Sequence, residues 1–272
     1  MKIRLVLLNT LSTVMFVCLT IPTFAVAVSG VMDSVVMQSN DSLELAKESQ
    51  HFNFYSTPPD IRVLDSLATT LENNYSRIMN ILGARTVKRI DVKVYPDIKS
   101  FHVASKYPDA PDWLVGTCYG EELLMVSPLN PGSVHTYQSL MQVIVHEFVH
   151  LAVFYARGDK GMIRIPTWLN EGFAQYEAGQ INDRIRKSVE SSLAGQAVPT
   201  WTQLEKSSAM EFGNMNGYGL SVTIVEFLVV KYGMDKLVLL IKEPENLESI
   251  YGLSKDSLEK RWIQYVKHET IE

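Results

Sequence analysis

Cysteine is scarce in this chain, with only Cys18 and Cys118 among 272 residues. Loss of an N-terminal segment carrying Cys18 leaves a single thiol. No internal disulfide can then form even in an oxidising compartment, and stability has to come from packing or from a bound metal. An excess of cations is also missing: 25 Lys and Arg stand against 30 Asp and Glu, a net charge of −5. Residues 1–27 hold Lys2 and Arg4 and no acid, so their removal leaves 23 basic against 30 acidic side chains, a net charge of −7. Such a surface repels phosphate backbones, which argues against a nucleic-acid partner. Internal repeats and low-complexity tracts are absent. What remains is ordinary globular composition, 46% apolar and 20% charged, in a chain long enough for one large core or two packed subdomains.

The first residues have a different character. Lys2 and Arg4 precede an uncharged stretch from Leu5 to Met32, apolar at its centre, with Ala25-Val26-Ala27 ahead of Val28. A basic start, an apolar middle and small residues at that spacing describe a secretory signal peptide over residues 1–27, and hence a secreted or periplasmic protein. The alternative is an uncleaved membrane anchor, in which case a membrane becomes a partner. Residues 28–48 are polar and weakly patterned and read as a tether, with the fold starting near His51.

Between residues 49 and 132 the pattern alternates between strand and helix. His51 to Tyr55 alternates as a half-buried strand stopped by Pro58-Pro59, and Asp60 to Leu82 has apolar residues at helical spacing (Ile61, Leu64, Leu67, Leu71, Ile78, Leu82) before Gly83. Arg89 to Tyr95 is a second strand, Ile98 to Ala104 a short helix, and Glu122 to Val126 a third strand. From Ser133 onward helices take over: Leu140–Phe154, Trp168–Ala178, Asp183–Leu193, Leu220–Tyr232, Asp235–Ile241 and Lys255–Lys267. The fold class is therefore α+β, a small α/β subdomain (49–132) followed by a mainly helical one (133–272).

Leu140 to Phe154 is apolar on nearly every side, which reads as a buried helix, yet it carries His146, Glu147 and His150. Three ionisable groups on a buried helix are costly unless paired or bound to metal. Residues four apart lie one above the other on a helix, so His146 and His150 can offer nitrogens to one ion while Glu147 points beside it. Catalytic zinc normally has three protein ligands and one open position, and the candidate third ligand is Glu171 in Trp168-Leu169-Asn170-Glu171-Gly172-Phe173-Ala174. Gly158, Asp159, Gly161 and Pro166 lie between, letting the chain reverse into a second helix antiparallel to the first. Gly172 removes a side chain where these two helices approach.

These two segments together resemble the gluzincin metallopeptidases, most closely the branch with peptidase MA-like domains, over about residues 50–268. The resemblance implies one Zn2+ per chain in a cleft between the two subdomains, held by His146, His150 and Glu171, with Glu147 as the catalytic carboxylate and a peptide or protein as substrate. Many relatives carry an acid four positions after the third ligand to orient a ligand histidine; here that position is Gln175. Relatives also use a Tyr or His against the developing oxyanion, and Tyr218 is the candidate. They bind an extended peptide along an edge strand, which places Leu123 to Val126 along the cleft. No Gly-Ala-Met-Glu-Asn segment for gripping a substrate amino group is present, which favours an endopeptidase over an aminopeptidase. A non-catalytic envelope or binding protein that keeps the zinc helices for structure is the competing reading. His51, His102, His135 and His268 have no companion at ligand spacing and read as structural or solvent-facing, and Glu177 lies on a different helical face from Glu171.

Overall fold

The computed structural model describes residues 42–269 apart from 163–164 and 196–197. The expected leader and the tether up to residue 41 lie outside the described residues. The architecture is α+β. Its first part contains β1 (Glu44–Glu48), β2 (Phe52–Ser56), α1 (Ile61–Leu82), β3 (Ile90–Tyr95), α2 (Ile98–Ala104), β4 (Gly116–Tyr119) and β5 (Glu122–Val126). The helical part follows: α3 (Tyr137–Arg157), α4 (Thr167–Glu177), α5 (Asp183–Ala194), α6 (Trp201–Lys206), α7 (Ala209–Asn214), α8 (Gly217–Tyr232), α9 (Met234–Lys242), α10 (Leu247–Tyr251) and α11 (Lys255–Glu269).

The strands form one mixed sheet in the order β1-β2-β3-β5-β4. β2, β3 and β5 run parallel, while β1 and β4 lie antiparallel at the two edges. Period-two patterning sets the register: Phe52 pairs with Ile90 and Phe54 with Val92, all four buried, so one face of β2 and β3 meets the core. β5 sits inside the sheet and is buried from Leu123 to Val126, and its unbroken apolar run reflects cover on both faces.

Two expectations change here. Glu44–Glu48 belongs to the fold and not to the tether, because its backbone pairs with β2 while its side chains stay largely outside the core, leaving no apolar pattern to read. Leu123–Val126 is not an edge; β4 takes that place, and its four residues Gly116-Thr117-Cys118-Tyr119 are too short and mixed to announce a strand. A smaller difference concerns Ile61, which is exposed at the start of α1, whereas Leu64, Leu67, Leu71, Ile78 and Leu82 are buried.

The sheet and the helices share a continuous core. Phe52 of β2 meets Phe148 of α3 edge-on at 5.5 Å between ring centroids, and Tyr75 of α1 stacks on the same Phe148 at 5.6 Å. A second aromatic group fixes α4: Trp168 packs on Trp201 at 4.8 Å, and Trp201 on Trp262 of α11 at 6.4 Å. By length and composition α3 could cross a membrane, but 72% of its most apolar window is buried inside the protein, as a core helix requires.

The β1–β2 turn is pinned to α1 by Glu72, whose carboxylate accepts from the Ser49 hydroxyl (2.7 Å), the His51 amide (2.8 Å) and His51 Nδ1 (2.6 Å). Burial alone would raise the Glu72 pKa, but the bonds from His51 and Ser49 outweigh it and hold the carboxyl below its ordinary 4.5. An acid with a depressed folded pKa stabilises the fold above its unfolded value and loses that contribution as pH falls through the folded one. Glu72→Gln is therefore expected to cost about 1.5–3 kcal/mol in urea unfolding at pH 7, the worth of a hydrogen bond to a charged group. The gap between variant and parent should narrow as pH drops below 4.5; a gap independent of pH would refute the assignment.

Candidate metal centre

α3 begins with a reciprocal cap between Thr136 and Ser139 and then runs apolar on nearly all sides through the core. His146, Glu147 and His150 are each no more than 1% exposed. α4 packs beside α3, and its direction follows from its contacts. Glu171, in its middle, faces His146 and His150, while Gly179 and Gln180, just past its end, reach Gln142 and His146. The helices are thus antiparallel, and Glu171 is also buried.

His146 Nε2 and His150 Nε2 lie 3.0 Å apart, His146 Nε2 and Glu171 Oε2 3.4 Å, and His150 Nε2 and Glu171 Oε1 3.7 Å. Tetrahedral zinc with N and O ligands at about 2.0–2.2 Å needs ligand atoms about 3.3–3.6 Å apart. The observed spacings bracket that range, so this donor set fits a divalent ion, and His146, His150 and Glu171 form a group able to hold one. Burial pushes the pKa of both imidazoles down to about 4, against the opposing influence of Gln180 on His146 and of Glu171 on His150. Both rings are neutral near pH 7, the state in which a ring nitrogen can donate to a metal.

The Glu147 pKa lies well above the ordinary carboxyl value, through burial first and the nearby Glu171 charge second, with the Cys118 backbone amide pulling the other way. That amide belongs to β4, which presses directly on α3. A Cβ at Gly116 would fall 2.6 Å from Val143 Cγ1 and 3.1 Å from Glu147 Cγ, so only glycine lets the strand lie this close. Two buried histidines hold the approach to the strand: His135 Nε2 bonds to Trp113 O (3.0 Å) and His102 Nε2 to Leu114 O (2.9 Å). These rings do the structural work expected of them, as does His51; the His268 side chain lies outside the described residues.

Other expectations are relocated. Gly172 does admit a close helix approach, but the neighbour is α8 and not α3: an added Cβ would sit 2.4 Å from Ser221 O and 2.8 Å from Val225 Cγ2. Gln175 is buried, and its Oε1 has no hydrogen-bond partner among the described residues, so it does not orient either histidine ring through that atom. That part falls to Gln180, whose Oε1 lies 3.0 Å from His146 Nδ1. Sequence reading missed Gln180 because it stands in the turn after α4, where helical spacing gives no guide. Asn170 lies against His150 and favours its charged form, although His150 Nδ1 and Asn170 Oδ1 both fall short of hydrogen-bond geometry. Glu177 turns away to α1, where Arg77 pairs with its carboxylate and donates to its carbonyl at 2.8 Å.

Tyr218 is not in the ligand group. It is buried in the first turn of α8, edge-on to Phe212 at 4.8 Å. Ser221, three residues on and so on nearly the same side of the helix, is what meets Gly172, which puts Tyr218 on the side of α8 that looks toward α4. The Cys118 thiol lies near Glu147, and its pKa is raised by burial and, to a lesser extent, by that carboxylate, which makes it a poor nucleophile.

None of the curated proteins matches the chain significantly. The family model of the Peptidase MA superfamily matches residues 70–268, from the middle of α1 to the end of α11, and so spans both helices that carry the His-His-Glu group. With a match over most of its length and a buried His-His-Glu group of the right chemistry, the chain belongs to the Peptidase MA superfamily, a family of peptidases.

Proposed function

We propose that this protein is a zinc-dependent peptidase, an endopeptidase in preference to an aminopeptidase, with one Zn2+ held by His146, His150 and Glu171 and with Glu147 as general base. The Glu147 carboxylate carries this reading: it is buried beside the ligand group and its Oε2 has no hydrogen-bond partner among the described residues. Such a group costs stability and serves no purpose in a structural metal site. When bound, the ion would supply a Lewis acid that polarises the scissile carbonyl and lowers the pKa of water toward about 7. Glu147 accepts the proton of the attacking water and hands it to the departing amine nitrogen, so no covalent intermediate forms with the chain. Tyr218 is assigned the hydrogen bond to the developing oxyanion, supported by its side of α8. β4 offers its unpaired outer side to an extended peptide, with Gly116 keeping that strand against Glu147.

The same burial favours one competing reading, a non-catalytic protein with a structural metal, because all four groups are closed to solvent. Metal analysis and proteomic cleavage of an unbiased peptide mixture decide between them. About one zinc per chain, with cleavage abolished by a chelator and restored by zinc, supports the peptidase. Zinc without cleavage supports the structural reading, and absence of metal removes both. Equal cleavage of N-terminally blocked and free peptides identifies an endopeptidase. Secretion or export to a periplasm after cleavage behind Ala27 is part of the proposal, supported by the basic, apolar and small-residue order of the leader. A mature N-terminus at Val28 supports it, and retention of the leader would favour the membrane-anchored form.

A further inference from the structure

The turn that follows α4 reaches back to α3 at two points. Gln142 Nε2 donates to Gly179 O at 3.0 Å, one helical turn before His146, and Gln180 Oε1 lies 3.0 Å from His146 Nδ1. The turn is closed on its own helix by Gln180 N donating to Gln175 O at 3.0 Å, and Gln180 is itself buried. An amide oxygen only accepts, so it places the proton of His146 on Nδ1 and leaves the Nε2 lone pair aimed at His150 and Glu171.

We infer that Gln180 is a positioning residue for the metal centre: it fixes the tautomer and rotation of His146, and Gln142 delivers it by tying the turn to α3. This rests on the metal-binding reading above and extends it, because the residue that orients the ring is a neutral amide in a loop and not a side chain of α4. Second-shell partners of a ligand histidine act by holding the ring and raising its basicity. A neutral acceptor does the first fully and the second weakly.

The test measures zinc affinity by chelator competition and the visible spectrum of the Co2+ form for the full mature chain and for Gln180→Leu, Gln180→Glu and Gln142→Ala. Gln180→Leu should weaken zinc about 10- to 100-fold and alter the cobalt spectrum. Gln180→Glu should bind at least as tightly as the parent, since a carboxylate accepts the same proton. Gln142 is exposed, so Gln142→Ala should fold normally and weaken zinc by a smaller factor, which guards against a misfolded Gln180→Leu. Affinity within twofold of the parent for both Gln180→Leu and Gln142→Ala, with an unchanged cobalt spectrum, overturns the assignment while leaving the metal site standing. A parent chain that binds neither ion overturns the functional reading and this inference with it, and that failure is seen before any variant is made.

Discussion

Glu147→Gln should retain about one zinc per chain and lose peptide cleavage, its rate falling by about 10²- to 10⁴-fold, the usual contribution of a positioned general base. The amide keeps the shape of the side chain but cannot take a proton from water, and His146, His150 and Glu171 are untouched. A second effect runs the other way. The folded Glu147 pKa is raised, so this acid holds its proton more tightly in the native chain than in the unfolded one, and metal-free stability declines as pH rises above the unfolded value of 4.5. Removing the ionisable group removes that penalty. Metal-free Glu147→Gln should therefore melt at or above the parent temperature at pH 8, and the difference should shrink toward pH 4.5. A gain in stability with a loss of turnover is the signature of a residue kept for function. Unchanged cleavage by a zinc-replete Glu147→Gln protein would defeat the mechanism.

Gly172→Ala should destabilise the protein by about 3 kcal/mol, at the upper end of overpacking costs. The added carbon would lie 2.4 Å from Ser221 O and 2.7 Å from Ser221 C, and both are main-chain atoms of α8 that no rotamer change can move aside. α4 and α8 must separate. Glu171 is the adjacent residue, so the separation also disturbs the ligand group, and zinc affinity should fall along with the melting temperature. A helix-favouring Ala for Gly exchange would otherwise stabilise by up to about 1 kcal/mol. Thermal unfolding and chelator competition on the same preparation read both effects; stability equal to or above the parent would show that α4 and α8 are not held at this spacing.

Much of this architecture is legible in the sequence. His146, Glu147 and His150 declare themselves because four-residue spacing on an apolar helix is a local property, set by helix geometry and by the cost of burying charge without a partner. Glu171 follows from the turn formers between two helices. The runs of α1, α3, α8 and β5 are legible for the same reason, each burying enough apolar surface to impose a period on its own sequence. α6, α7 and α10 leave no such mark, being five or six residues long and too short to show a period.

The sequence by itself determined the α+β class, the pairing of His146 and His150 with Glu171 as a candidate metal-holding group, and the Glu147 carboxylate beside it, all of which depend on residues near one another along the chain or on composition. The tertiary structure alone decided that β4 and not β5 forms the edge over Glu147, that Gly172 makes room for α8, and that Gln180 in place of Gln175 meets His146. The physical reason is common to the three. Each is a contact between backbones or polar atoms distant in sequence, and such contacts leave no periodicity behind; only the packing of whole elements against one another brings them within reach.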